Sequence, residues 1–517
     1  MANKSVFASV KGRFAPATAR NATGAPAYRY TDAHALAQVA MTGTFGGMFY
    51  TDPADELEYV VDLAETVPVE FLAQTAIYAR QKGYMKDMPA VLLAVLARRD
   101  PALFRAVFGR VVTNGKMLRT FVQVIRSGTT GRKSLGSAPK AMVQGWLNGA
   151  SDRALLQANI GNDPSLADVI KMVHPKPETN EREALFAWIV GRPCEAALLP
   201  QALQDWMAFN KAGKGTVPDV PFQMLTQLPL SSHQWARLAK TGSWQMVRQG
   251  LNMFLRHGVF GVSKNVDHVA AKLRDPEAIR KARAFPYQLM VAAQHVSPEM
   301  PEAIVDALHE AMEIAVQNVP KVAGQVVVCP DVSGSMMWPV TGYRAGASSK
   351  VRHVDVAALV AAAFQRVNRG CTVLPFEVGV RDLRLRKQDS ILTNAERLAA
   401  LAGGGTNCSA PLKWLNERGR APDLVVFVSD NQSWVDAGNG RQGTAMMREW
   451  ELIKRRNPKA RLVCIDIAPY GTAQVRTRAD VLNVGGFSDV VFDQIAAFAS
   501  GETGGDHWVR EIEKIAV

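Results

Sequence analysis

Cysteine is scarce and scattered in this chain. Its five copies, Cys194, Cys329, Cys371, Cys408 and Cys464, stand far apart with no CxxC pair. That excludes a zinc cluster of ordinary spacing and a disulfide framework, and it suits a reducing compartment. No apolar run approaches the roughly 20 residues of a membrane span, and the opening Met1-Ala2-Asn3-Lys4-Ser5-Val6-Phe7 has no apolar stretch of the secretory kind. A cytoplasmic protein without a membrane partner is therefore expected. Acidic residues are missing from residues 101–150, where eight basic side chains stand (Arg105, Arg110, Lys116, Arg119, Arg126, Arg132, Lys133 and Lys140). An exact internal repeat period is missing as well, so any solenoid must be argued from pattern alone.

What is present points to several domains. A chain of 517 residues with 48% apolar and 21% charged side chains is globular but too long for one ordinary core. The formal charge of +13 favours an anionic partner, and on charge alone nucleic acid, acidic protein and membrane surface all stay open. From about Tyr30 to Val319 the pattern is helical: Leu57 to Leu63, Phe71 to Arg80, Ala90 to Arg98, Ala184 to Ile189 and Met290 to Ala293 are apolar stretches ended by Gly, Pro, Asn or charge. Each is short enough to need a neighbour, so paired helices stacked as an irregular solenoid are expected.

Near Pro320 the grammar changes. The β-branched run Gln325 to Cys329 leads into Pro330 and the Asp331 loop, which sets a boundary between 1–322 and 323–517. Beyond it helices (354–367, 395–402, 444–455) alternate with strands (371–376, 424–429, 461–467). This predicts a Rossmann-like parallel sheet with helices on both faces and ligands at the carboxyl ends of its strands.

Three loops carry oxygen, two of them directly after strands. Asp331, Ser333 and Ser335 alternate, so a sharp turn aims all three at one point; Gly403-Gly404-Gly405-Thr406 and Ser429-Asp430 supply two more. Hard oxygen donors suit Mg²⁺, with the hydroxyls of Ser333, Ser335 and Thr406 as direct ligands and Asp331 and Asp430 acting directly or through water. Neutral hydroxyl ligands leave the ion able to accept a carboxylate or phosphate from outside, which makes it a docking point. No His, Glu or Lys in these loops is placed to activate metal-bound water, so catalysis is not expected. A lone DxSxS is as readily a turn with helix caps; three such loops in order favour the metal.

The basic block, rich in Gly, Ser and Thr around Arg126 to Lys140, is what phosphate contacts require, although a solvated basic face is the plain alternative. Further cations stand at Arg237, Lys240, Arg248 and Arg256 and at Arg280, Lys281 and Arg283. Trp244 and Tyr287 are available to stack bases, but their helical spacing fits core positions better. His174 and Lys176 sit in His174-Pro175-Lys176-Pro177, where two prolines fix an extended turn that presents both to a phosphate or base.

DVSGSM, GGGTN and VSDNQ resemble the metal-ion-dependent adhesion site of von Willebrand A domains, here over residues 323–517. The insertion Trp338 to Lys350 is a departure that bears on the metal face. Together with Gly43-Thr44-Phe45-Gly46-Gly47-Met48-Phe49-Tyr50, the His174 turn, Lys281-Ala282-Arg283 and Pro286-Tyr287, the whole chain resembles the Ro autoantigen family. The resemblance implies a ring of HEAT-like helical repeats, the TROVE domain (1–322), followed by the von Willebrand A domain. It also implies a monomer that is not an enzyme. Y or Y-like noncoding RNA would bind outside the ring, and single-stranded 3′ ends of misfolded structured RNA would thread its basic hole, in RNA quality control with an exoribonuclease. The RNA-binding candidates are then Arg126, Arg132, Lys133, Lys140, His174, Lys176, Arg248, Lys281 and Arg283. Where the family is basic before the His174 turn, this chain has Leu155 to Gly161, so Arg132, Lys133 and Lys140 are the expected replacement contacts. A metal-dependent protein-interaction scaffold that does not use RNA is the alternative.

Overall fold

The computed structural model describes residues 16–517 except 163, 283–285, 317–318, 344–348, 435–442 and 487. The chain forms two compact units. One gathers the described residues up to Val67, the stretch 284–291 and Met312–Ile515; the other holds Pro68–Arg283, Ala292–Ala311 and the last two residues. The change of grammar near Pro320 thus marks where the strands of the parallel sheet begin. It does not cut the chain into two contiguous blocks, because the N-terminal segment folds with the sheet.

The second unit is helical throughout its described residues. Helix Val69–Gln81 packs on Asp87–Arg99, which packs in turn on Pro101–Val111 and Gly115–Ser127. Contacts therefore run between neighbours and next neighbours, as stacking of short amphipathic helices requires. Asp100 caps one helix by accepting from Ala102 and Leu103 N–H, Asn114 caps the next, and Ser165 with Asp168 forms a capping box on Leu166–Val173. Phe104, Phe108 and Phe121 make the local core, with ring centroids 5.5–5.7 Å apart.

The sheet unit is built on five parallel strands: β3 (Val326–Pro330), β4 (Thr372–Val373), β5 (Leu424–Ser429), β6 (Arg461–Asp466) and β8 (Val481–Gly485), in the order β4-β3-β5-β6-β8. Alternate residues Val327, Cys329, Val425, Phe427, Leu462 and Cys464 meet Leu412, Leu415, Met446, Trp450 and Ile453 of helices Ala410–Glu417 and Ala445–Arg456. The intervening Val328, Val426 and Val463 are equally buried, and helices His353–Val367 and Asp489–Ala499 contact these strands. The strand expected at 371–376 is shorter because Pro375 has no N–H to give the ladder. Its neighbours Leu374 and Phe376 still donate to Val328 and Pro330 carbonyls at 2.8 and 3.1 Å. A small antiparallel sheet joins β1 (Ala19–Arg20), β2 (Pro26–Arg29) and β7 (Thr472–Ala473), and helix Asp32–Thr42 lies on β8. Among the described residues no helix is long and apolar enough to cross a membrane.

The chain runs from β3 out to β4 and returns to β5 on the other side of β3. That reversal opens a crevice at the carboxyl ends of β3 and β5, the place where α/β sheets hold ligands. The Asp331 and Asp430 loops leave the sheet there.

Candidate metal centre and basic helical face

Backbone bonds pin the first loop before any side chain acts. Asp331 N–H donates to Val428 O (3.0 Å) and Val332 N–H to Phe376 O (2.9 Å), so the loop starts between two strands. The second loop is tied to it by Gly334 N–H to Gly404 O (3.0 Å) and Gly403 N–H to Val332 O (2.8 Å). The third joins through Thr406, whose carbonyl accepts from Trp434 N–H at 3.2 Å. Side chains then converge. Asp331 Oδ1 accepts from Ser333 N–H (2.8 Å), and the Ser333 and Ser335 hydroxyls lie 3.3 Å apart. Asp430 Oδ1 accepts from Gln432 N–H at 3.2 Å, and its charge acts on Asp331. Asp331, Ser333 and Ser335 thus meet beside Asp430, Thr406 is held to the third loop by its backbone carbonyl, and all five residues are buried.

Two carboxylates buried side by side are costly. Burial first, and then the charge of Asp430, pushes the Asp331 carboxyl up to about 7; burial also raises Asp430. Among the described residues neither is ion-paired, and no three His, Cys, Asp or Glu converge. The donor set is two acids plus hydroxyls, all buried. It fits a small hard divalent cation, which would relieve the repulsion, and it does not fit a soft metal.

In the helical unit, Lys140, Gln144 and Asn148 share one face of helix Ser137–Gly149, being spaced by four. Gln144 Nε2 donates to the carbonyls of Val173 (2.7 Å) and His174 (3.2 Å), and Asn148 Nδ2 to that of Lys176 (2.9 Å). The His174 turn is thereby strapped to the Lys140 helix, with His174 left-handed at φ 51° and both His174 and Lys176 exposed. Arg126 donates to Lys133 O (3.4 Å), and the loop between them leads past half-buried Arg132 into the same helix. Six of the nine RNA candidates therefore share one neighbourhood. Lys281 is exposed elsewhere in the unit, whereas Arg248 is buried, its guanidinium 5.8 Å from the Trp244 ring. Trp244 is itself core, donating to Leu273 O at 2.9 Å. Arg283 lies outside the described residues.

Residues 325–499 match the family model described as the Ro60 vWA domain. The RNA-binding protein RO60 of Deinococcus radiodurans is 26% identical over 93% of this chain and 95% of its own length. The protein of the same name from Caenorhabditis elegans is 25% identical over 46% of this chain and 37% of its own. The crystal structure of the Deinococcus radiodurans RO (RSR) protein superposes with a TM-score of 0.60 at 19% identity, covering 92% of this chain and all of that one, a likeness of fold. The chain is Ro60-like and carries a Ro60-type von Willebrand A domain.

In this Ro60-like chain three site residues escape sequence reasoning. Ser429 donates to Asp331 Oδ2 at 2.6 Å, and its place directly before Asp430 is the signal that could have found it. Asp466, at the end of β6, accepts from Tyr30 Oη (2.8 Å), Gln38 Nε2 (3.0 Å) and Asn431 Nδ2 (2.5 Å). Burial holds its carboxyl well above the usual range. Tyr50, brought in by the N-terminal segment, has its amide on Tyr470 Oη (3.2 Å) and its ring edge-on to Tyr470; burial and then Asp430 push its phenol up to about 12.

Proposed function

We propose that this Ro60-like protein is a non-enzymatic RNA-binding protein whose helical unit takes Y or Y-like noncoding RNA on its outer face. A ring of these helices would admit single-stranded 3′ ends of misfolded RNA to a basic hole, in cytoplasmic RNA quality control with an exoribonuclease. The carrying observation is the joining of Lys140, His174 and Lys176 by the Gln144 and Asn148 hydrogen bonds, continued through Arg132, Lys133 and Arg126. Cations that reach solvent, Arg126, Lys133 and Lys176 fully and Arg132 and Lys140 in part, contact phosphates without needing a particular base sequence. Both curated relatives bear the name RNA-binding protein, which supports RNA as the anionic partner.

The sheet unit serves as the docking point of a monomeric protein. Asp331, Ser333, Ser335, Thr406 and Asp430 would hold Mg²⁺, which when bound offers an external carboxylate or phosphate a partly neutralised cation. Glu377 reaches the edge of the Gly404 turn, but its carboxylate is engaged by Arg381 at 2.8 Å, which favours docking over base catalysis.

The test is anisotropy with a labelled hairpin bearing a 3′ overhang. Replacing Arg132, Lys133 and Lys140 together by Glu is expected to weaken binding at least about tenfold at moderate salt. Unchanged affinity removes this face from the mechanism, and a blunt duplex that competes as well as the overhang removes strand threading. Recovery of the same protein partners after ribonuclease treatment favours the protein-scaffold alternative.

A further inference from the structure

The sheet unit carries a charged surface at the end of the sheet away from the Asp331 cluster. Helices Ala410–Glu417 and Ala445–Arg456 pack together, and Asn457 straps their ends: its Nδ2 donates to Ala421 O (3.2 Å) and Asp423 Oδ1 (3.1 Å), just before β5 begins. The length of β5, about 20 Å for six extended residues, separates this end from Asp430. Leu415 O accepts from both Arg418 N–H (3.2 Å) and Arg420 N–H (2.9 Å), a helix end closed by left-handed Gly419 at φ 62°. That turn sends two arginines to one ring: the guanidinium carbons of Arg418 and Arg420 stand 4.0 and 5.6 Å from the Trp414 centroid. Trp414 itself is half-buried and packed against the core. Arg456 joins the same turn, donating to Asn416 Oδ1 and to Arg420 O (3.1 Å).

Lys413, Arg418, Arg420, Arg455, Arg456 and Lys459 are all exposed, and residues 410–420 and 453–461 hold one acid, Glu417, 3.9 Å from Arg418. On the neighbouring helix, Glu449 is taken by Asn416 Nδ2 (2.5 Å) and Glu451 pairs with Arg478. The two helix C-termini carry about half a negative charge each, so most of these cations are left uncompensated. We propose that this face is an RNA-contact surface for single strands: its arginines take backbone phosphates, and the Trp414–Arg418 stack takes an unpaired base. This rests on the reading of the chain as an RNA-binding protein and extends it from the helical unit to the sheet unit. Indole holds guanidinium by cation–π attraction, which fixes a flat platform whose outer face is open to a base and whose N–H edge is open to a phosphate. An acidic protein segment would meet the charges and leave the platform unused, so the platform favours RNA.

Anisotropy with a short labelled oligoadenylate tests this on the full-length protein whose Arg132, Lys133 and Lys140 are already reversed to Glu. Adding Arg418→Glu, Arg420→Glu and Arg455→Glu is expected to lower the remaining affinity at least about tenfold and to flatten the log–log salt slope by about 2, three phosphates at about 0.7 each. Arg418→Lys keeps the charge and loses the flat fork, so it should weaken the strand about threefold with an unchanged urea midpoint. No remaining affinity, or an affinity that the second reversal leaves untouched, overturns the proposal. So does oligoglutamate displacing the strand as well as unlabelled oligoadenylate of equal charge, which would make an acidic protein segment the occupant. A blunt duplex held as tightly as the single strand by the starting variant removes the base platform and overturns it too. If the wild type binds no RNA at all, the RNA reading falls and this inference falls with it, a result distinct from a wild type that binds through the helical unit alone.

Discussion

In the sheet unit Asp331, Ser333 and Asp430 have almost no exposed surface, whereas in the helical unit Arg126, Lys133, His174 and Lys176 face solvent. The first arrangement stores its electrostatic cost in the fold, since two acids are buried close together. The second stores almost none, because each cation is hydrated and contributes only when a phosphate replaces water. One site should respond steeply to single changes, and the other should respond gradually and additively.

The largest expected effect follows directly. Asp430→Asn removes one of two buried charges and should lower divalent-ion affinity by more than about a hundredfold. The same change relieves the repulsion that helps raise Asp331, so the ion-free protein should resist urea better than wild type. A variant that loses both ion binding and stability would mean that the acids act as turn caps. The contrasting arm is the salt dependence of RNA binding. Reversing Arg132, Lys133 and Lys140 should flatten the log–log salt slope by about 0.7–0.9 for each phosphate that is no longer neutralised.

Acid offers a sharper separation of the two units. His34 and His353, both in the sheet unit, are held down to about 4 by burial, and Nε2 of each is buried without a hydrogen-bond partner among the described residues. Their folded values lie below the unfolded value of 6.5, so their neutral forms favour the folded state above pH 6.5, and that contribution is lost as pH falls toward 4. A shift of this size corresponds to about 3 kcal/mol for each histidine. Urea midpoints of the sheet unit, followed by exchange of β5 and β6 amides, should therefore drop between about pH 6.5 and about pH 4. His34→Gln should blunt the fall, and an unchanged pH profile in that variant would remove His34 from the account.

Legibility in the sequence follows the same division. Strand β5 is readable to the residue, and helix 353–367 nearly so, because long apolar periodicity and β-branched runs are local signals. The Asp331 and Asp430 loops are readable because each follows such a strand, and the Gly403–Thr406 loop by its run of glycines after a helix. Strands of two to four residues such as β1, β2 and β7 carry no period, so the N-terminal sheet is invisible in the sequence. Tyr50 is visible as part of a motif, but its meeting with Tyr470 depends on the path of the chain between them. For the helical unit, residue type identifies the cations while burial decides which of them face solvent.

Arg248 is where that decision can be tested with the smallest expected effect on binding. Trp244, Val247, Arg248, Leu251 and Phe254 recur at intervals of three and four and are all buried, so Arg248 occupies the apolar stripe of its own helix. Its guanidinium near the Trp244 ring makes a packing and cation–π contact within the helical unit. Arg248→Ala should therefore cost about 1–3 kcal/mol of stability and leave RNA affinity within about twofold at a temperature where the variant is folded. Lys140→Ala should do the reverse, with little change in urea midpoint and a measurable loss of RNA. If Arg248→Ala loses RNA as Lys140→Ala does while remaining as stable as wild type, the buried and exposed cations are not separable in function. The contrast between a preorganised acid pocket and a solvated basic face would then fail for the helical unit.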